Sequence, residues 1–376
     1  MGQPPDVIYL DHAATAPPDP AVLAAMQPYL EGRFGNPSEP HALGRQARAD
    51  LDAARDEIAA LLGADDVVLT GGGTEADNLA VLGRCQGEPG RIVVSAIEHP
   101  AVMRAAEHLA TQGWQVAIAP VLADGALDVL AFGELVRPGD ALACVMAAGN
   151  VTGVVQPLAE AAAICAHADV PLHVDAVQAA AGMDVSLREL PGTVTAAVAA
   201  HKLGGPRGVG ALVGAVDGLA PIAFGGGQEG GLRSGTENVA GAVALAAALR
   251  IRHGAEGERT RRAALRDDLE RRLALPVAGA TAPRLPGHAL LLTGYRGDTV
   301  VRLLDERGIA VSAGSACASG DPTPDPVLGA MGIDAALARG AVRVSLGPTT
   351  TAADVDALVA AWAEIEIGLD AARASA

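Results

Sequence analysis

The chain has 376 residues, half of them apolar and 19% charged, the composition of a folded globular protein long enough for one large or two ordinary domains. Acidic residues outnumber basic ones 44 to 27, and the resulting net charge of −17 repels a phosphate backbone, which excludes DNA and RNA as expected partners. Aromatic residues make up only 2% against 46 glycines, so much of the core must be built from small and β-branched side chains.

The N-terminus, MGQPPDVIYLDHAATAPPD, has no basic start followed by an apolar stretch, and the longest apolar helix-like run, 238–251, is too short to cross a bilayer. A soluble, cytoplasmic protein with no membrane partner is expected. Cys85, Cys144, Cys165 and Cys317 lie far apart without paired zinc spacing, which suits reduced thiols and no metal site. All but Cys317 read as small buried apolar residues.

In chain order, helix-period stretches at 47–62, 101–111 and 158–168 alternate with short apolar runs. The runs predict strands at 67–69, 92–95, 116–118, 142–147, 171–175, 194–200 and 209–213. This alternation reads as a mostly parallel seven-stranded α/β sheet with helices on both faces. Beyond residue 252 the texture changes. HGAEGERTRRAALRDDLERRLA predicts a charged surface helix, and HALLLTGY, VRLLDERG and AVRVSLG predict the shorter elements of a smaller α+β domain. The expected division is 13–254 for the large domain, with 1–12 and 255–376 forming the small one.

Ligands of open α/β sheets sit beyond the carboxyl ends of the strands, where four polar places stand out. LTGGGTEADNLA runs from a strand through three glycines, ending at Gly73, and Thr74 into a helix; it is either an anion cradle or simply a tight turn. IEHPAV sets His99 after a strand, as a site residue or a helix cap. In PLHVDAVQA, Asp175 ends a strand with Gln178 one turn on. A carboxylate there needs a cation or donors, unless it too is a cap. In AAHKLGGPRG, Lys202 follows a strand of alanines and valines, where desolvation favours the neutral, nucleophilic amine; snorkelling to the surface is the alternative. A phosphate cradle, a carboxylate, a histidine and a lysine on one sheet match the needs of pyridoxal phosphate, which requires a lysine, an acid at its ring nitrogen and an anion site.

The sequence resembles the class V aminotransferases of fold-type I and, within them, the cysteine desulfurases of the NifS and IscS group. The motifs that carry this, in order, are YLDHAAT, FGNPSEPH, TGGGTEADNLA, EHPAV, NVTGVVQP, HVDAVQ, HKLGGPRGVGAL, RSGTENVAG, SAGSACASG and VRVSLG. The resemblance implies Lys202 as the Schiff-base lysine, Asp175 as partner of the pyridine nitrogen, Gln178 at the ring hydroxyl and His99 stacked on the ring. It implies Gly73, Thr74 and His201 at the phosphate, with Thr236 of a neighbouring subunit completing the site of an obligate homodimer. Asn36, Asn150 and Arg343 would hold L-cysteine, the arginine on its carboxylate.

Cys317 would accept sulfur as a persulfide, leaving L-alanine, from a loop in which Pro322, Pro324 and Pro326 stiffen the distal half and 315–320 is the hinge. A sulfur-acceptor protein is implied but not identified, since iron–sulfur scaffolds, tRNA thiolation and DNA sulfur modification all draw on this family. Two departures are visible: Ala199 replaces a phosphate-binding serine, and Val151 replaces an acidic residue. The rival readings are a selenocysteine or cysteine-derivative lyase, a small-amino-acid transaminase, and a non-catalytic partner-binding relative.

Overall fold

The computed structural model describes residues 7–314 and 325–374. In chain order its strands are β1 Ile8–Tyr9, β2 Val67–Thr70, β3 Arg91–Ser95, β4 Gln115–Ala119, β5 Leu142–Cys144, β6 Leu172–Asp175, β7 Val194–Ala199, β8 Gly210–Gly214, β9 His288–Leu292, β10 Ile309–Ala310 and β11 Ala341–Ser345. Seven of them form the central sheet in the order β2-β8-β7-β6-β5-β3-β4, with β8 alone running antiparallel to its neighbours. All seven expected strands are therefore present. The run expected to reach residue 147 stops as a regular strand at Cys144, yet Val145 N and Ala147 N still donate to His173 O and Asp175 O at 3.0 and 2.8 Å. That extension ties the end of β5 to the end of β6.

The helices begin where the chain supplies a cap. Asp19 accepts from Ala21 N ahead of Pro20–Glu31, and His41 accepts from Gly44 N ahead of Ala42–Leu62. The second of these ends at Gly63, whose left-handed φ of 61° favours glycine. Ala47, Leu51, Ala54, Ile58 and Leu62, on one face, pack against Val239–Arg252 in the main core. Val239–Arg252 is buried on nearly all sides, as its apolar run requires. No helix among the described residues is long and apolar enough to cross a membrane.

A second core gathers Leu10, Leu269, Leu291, Val300, Val344 and Trp362. It lies under the antiparallel pair β9 and β11 and beside the parallel pair β1 and β10. The charged segment forms the helix Glu256–Leu273, but not as a purely surface element. Arg259, Arg262, Leu269 and Leu273 are buried, with Arg262 Nη2 donating to Ala181 O of the larger layer. We propose, from the separation of the two cores, that 13–254 is one domain and that 1–12 with 255–376 is the other.

β8 crosses the glycine turn after β2 at van der Waals range. A Cβ at Gly210 would fall 2.5 Å from Val198 O and 2.8 Å from Gly72 Cα, with backbone on both sides and no flexible side chain to yield. Gly210→Ala should therefore lower stability by about 1–3 kcal/mol, the usual cost of overpacking. The urea midpoint checks this, and an unchanged midpoint would show that the strands can part without cost.

Candidate active site

The 3₁₀ turn Ala200–Lys202 follows β7 directly and brings the lysine out beyond the carboxyl end of the sheet. Lys202 Nζ donates to Ala13 O at 2.5 Å and Ala14 O at 2.9 Å, while Gln178 Nε2 donates to Ala13 O at 2.7 Å. Lys202 and Gln178 thus meet on the backbone of the YLDHAAT segment. Beside them His201 Nδ1 lies 3.2 Å from Thr15 Oγ1, which directs the other ring nitrogen away from this segment. Burial, with Lys202 and Arg207 adding repulsion, pushes His201 down to about 4, so the ring is neutral at pH 7.

Asp175 closes β6. Its Oδ1 accepts from Val177 N at 2.9 Å in a local turn, but the next helix, Ala179–Gly182, has Gln178 at its cap position, so Asp175 is not a helix cap. One turn bond does not settle a carboxylate that is only 7% exposed. Burial raises its pKa; the Val177 bond and then the charges of His99 and Lys202 oppose the rise. His99 is a helix cap, one of its two expected roles. Its Nδ1 accepts from Ala101 N at 3.1 Å at the start of Pro100–Thr111, leaving the proton on Nε2. Burial lowers its pKa against the pull of Asp175.

Behind this pair lie acids and a base that sequence reasoning did not single out. Asp77, in the first turns of Gly73–Arg84, has a carboxylate oxygen within 4.8 Å of both Asp175 and a ring nitrogen of His99. His173 lies two residues before Asp175 on β6, hence on the same face, and links Asp77 Oδ1 to Thr195 Oγ1 at 3.1 Å each. Burial drives His173 down to about 3, so its ring is neutral at pH 7, and pushes the Asp77 carboxyl well up. Glu98 accepts from Ser95 Oγ at 2.6 Å and Met146 N at 2.7 Å, and its Oε2 is buried without a partner. The period-2 spacing of HVD was the available signal for His173; Asp77 and Glu98 acquire meaning only through contacts between distant elements.

The glycine turn opens onto a cleft of about 760 Å³ bordered by Gly72, Gly73, Thr74, His201 and Arg207. A Cβ on Gly73 would lie 2.6 Å from Val177 Cγ2 and 3.6 Å from Ala199 Cβ, so only a bare backbone fits here. Thr74 is exposed at the helix start, where free N–H groups favour an anion. Asp175 does not border this cleft but lies near its glycine turn, through Val177 against Gly73 and Asp77 one turn on. A buried carboxylate close to an anion-favouring turn suits a ligand with a basic ring nitrogen and an anionic tail.

Arg343 is 2% exposed, with Nη1 donating to Asn150 O and Nη2 to Asp11 Oδ1, each at 2.8 Å. Arg343 and Asn150 are therefore brought together, with Asp11 as an unforeseen third member. Asn36 is exposed and its side chain accepts from Ser38 N at 3.0 Å in its own loop, making no contact with Arg343 among the described residues. Thr236 is exposed on a loop and does not border the cleft of its own chain. Val151 is buried with Ala278, Leu290 and Met331, which accounts for its apolar side chain. Cys85, Cys144 and Cys165 are buried free thiols, and burial pushes the first and last up to about 12. Cys317, the 315–320 hinge, Pro322 and Pro324 lie outside the described residues.

The Aminotransferase class-V profile matches residues 8–358. An IscS-like cysteine desulfurase of Mycobacterium tuberculosis is 42% identical over 369 residues, covering 93% of each chain. The chain belongs to the cysteine desulfurases of the class-V aminotransferase family. Among solved structures, a NifS-like protein superposes with a TM-score of 0.88 at 31% identity, over 96% of this chain and 99% of its own. A structure described as SspA in complex with cysteine gives 0.81 at 31% identity, over 91% and 99%.

One property of this desulfurase follows from Glu98, whose carboxyl burial pushes up to about 8 from an ordinary 4.5. The unfolded chain releases that proton above pH 4.5 while the folded chain retains it, so Glu98 lowers stability progressively between about pH 4.5 and 8. The slope approaches 1.4 kcal/mol per pH unit at most. Glu98→Gln keeps an acceptor for Ser95 and Met146 and removes the titration. Denaturant unfolding should find the variant level with wild type at pH 4 and more stable at pH 8. An equal difference at both values would mean that Glu98 does not titrate in this window.

Proposed function

We propose that this chain is a pyridoxal-phosphate enzyme that converts L-cysteine to L-alanine and keeps the sulfur as a persulfide on Cys317. The observation that carries the proposal is that Lys202 is the only lysine in the chain, every other member of the 27 Lys and Arg residues being arginine. A guanidinium, with a pKa above about 12, cannot serve as nucleophile or base at neutral pH. The one side-chain amine sits where the proposed chemistry requires an amine, its charge acting on a buried carboxylate.

The cofactor, when bound, supplies an electron sink for electrons released at the substrate α-carbon. Asp175 would hold the proton of its ring nitrogen, Gln178 would meet the ring hydroxyl, and His99 would cover one face. Gly73, Thr74 and His201 would bind the phosphate, joined by Thr236 of the second subunit of a homodimer. Lys202 Nζ would anchor the cofactor, and as a free amine would take the α-proton and return it. Arg343, oriented by Asn150 O and Asp11, would pair with the substrate carboxylate, and Asn150 and Asn36 would complete the substrate site. The Cys317 thiolate attacks the substrate sulfur; the new S–S bond forms as the Cβ–S bond breaks, and the carbon skeleton, reprotonated, leaves as alanine. The sulfur then passes to an acceptor protein. Three buried free thiols suit the reducing cytoplasm.

Cys317→Ser tests the reading. The variant should retain the yellow cofactor and bind cysteine, but lose at least about 100-fold in alanine production, since a hydroxyl is a far weaker nucleophile at neutral pH. Mass spectrometry of the wild type after incubation with cysteine should find added sulfur on Cys317 and not on Cys85, Cys144 or Cys165. Full alanine production by the serine variant would move the protein to the lyase or transaminase class.

A further inference from the structure

The phosphate end of the proposed site lacks positive charge. A phosphate monoester carries roughly −1.5 to −2 at pH 7, whereas a helix N-terminus offers the equivalent of about half a positive charge. His201 is neutral there, and Thr74 adds no charge. Lys202 is bound to the carbonyls of Ala13 and Ala14. Glu75, which borders the same cleft, is matched by Arg233 Nε at 2.8 Å and accepts from Gly71 N at 2.7 Å. At the end of β7, Ala199 presents only a methyl group toward Gly73.

Among the described residues bordering the cleft, the remaining formal cation is Arg207. It is exposed and makes no hydrogen bond or ion pair among the described residues, yet its charge acts on both His201 and Tyr9. The backbone holds its segment against the cradle. Pro206 precedes it, Gly208 turns at a φ of 81°, and Gly210 abuts Gly72 so closely that a Cβ would lie 2.8 Å from the Gly72 Cα. An exposed arginine on a surface turn usually points into water; one fixed beside a glycine cradle with no partner of its own is placed for an anion.

We propose that Arg207 is a phosphate-binding residue, whose guanidinium closes the Gly71–Thr74 cradle and supplies the charge that the other ligands lack. The proposal rests on the pyridoxal-phosphate reading above.

The test compares two probes on full-length protein stripped of cofactor: pyridoxal phosphate and pyridoxal, which has no phosphate. Arg207→Gln should weaken pyridoxal phosphate about 10- to 100-fold, the scale of one charge-assisted hydrogen bond, with pyridoxal affinity changed less than about twofold. Added salt should weaken pyridoxal phosphate binding more steeply in wild type than in the variant. Arg207→Lys should recover part of the loss. Equal affinity of the variant and wild type for pyridoxal phosphate, or an equal loss for both probes, would overturn the assignment. Wild-type protein that binds pyridoxal but not pyridoxal phosphate would also overturn it. Binding of neither probe by wild type would bring down the cofactor reading and this proposal with it.

Discussion

A carboxylate carried to the end of a buried strand must meet positive charge or hydrogen-bond donors, because its ionised form costs several kcal/mol to keep away from water. Asp175 is such a carboxylate, and the architecture around it reads as the answer to that cost. β5 is tied past its end to β6, the 3₁₀ turn after β7 brings Lys202 to the same rim, and His99 is locked in one tautomer by its capping bond. The carboxylate needs a cation, and a protonated ring nitrogen is a cation that can enter and leave with a ligand.

The surrounding buried acids sharpen this. Asp77 and Glu98 both feel Asp175; burial raises both, Glu98 to about 8, which keeps Glu98 largely protonated at pH 7. His173, neutral, joins Asp77 to Thr195 without adding charge. Burial opposes charge on all three acids, and Asp175 is the one whose charge is supported by Lys202 and His99. Like charges at this separation cannot all form in a dry site, so neutrality behind Asp175 lets the charge gather in front of it.

Much of this was legible in the chain. The seven sheet strands were readable because a buried sheet wants apolar runs and its crossovers want helical period, and the two patterns alternate cleanly from 67 to 214. Lys202, Asp175, His99 and the glycine turn were readable because they follow strands. What escaped were relations between remote elements. Asp11 and Arg343 are 332 positions apart and meet only because β11 and the N-terminal segment share the second core. The helix Glu256–Leu273 was expected on the surface from its charge, but Arg259 and Arg262 are buried because their guanidinium groups reach carbonyls of the larger layer. The uniqueness of Lys202 needed no structure at all, only a count of lysine against arginine.

That uniqueness makes the central claim, that Lys202 holds the cofactor opposite Asp175, directly measurable. Borohydride reduction of the purified protein, followed by denaturation and peptide mapping, has two amines to find: the Lys202 Nζ and the chain's α-amino group. The account predicts that the yellow colour is lost on reduction and that a phosphopyridoxyl group remains fixed on the peptide containing Lys202. Cofactor that washes away after reduction, or that is found only on the α-amino group, would contradict it.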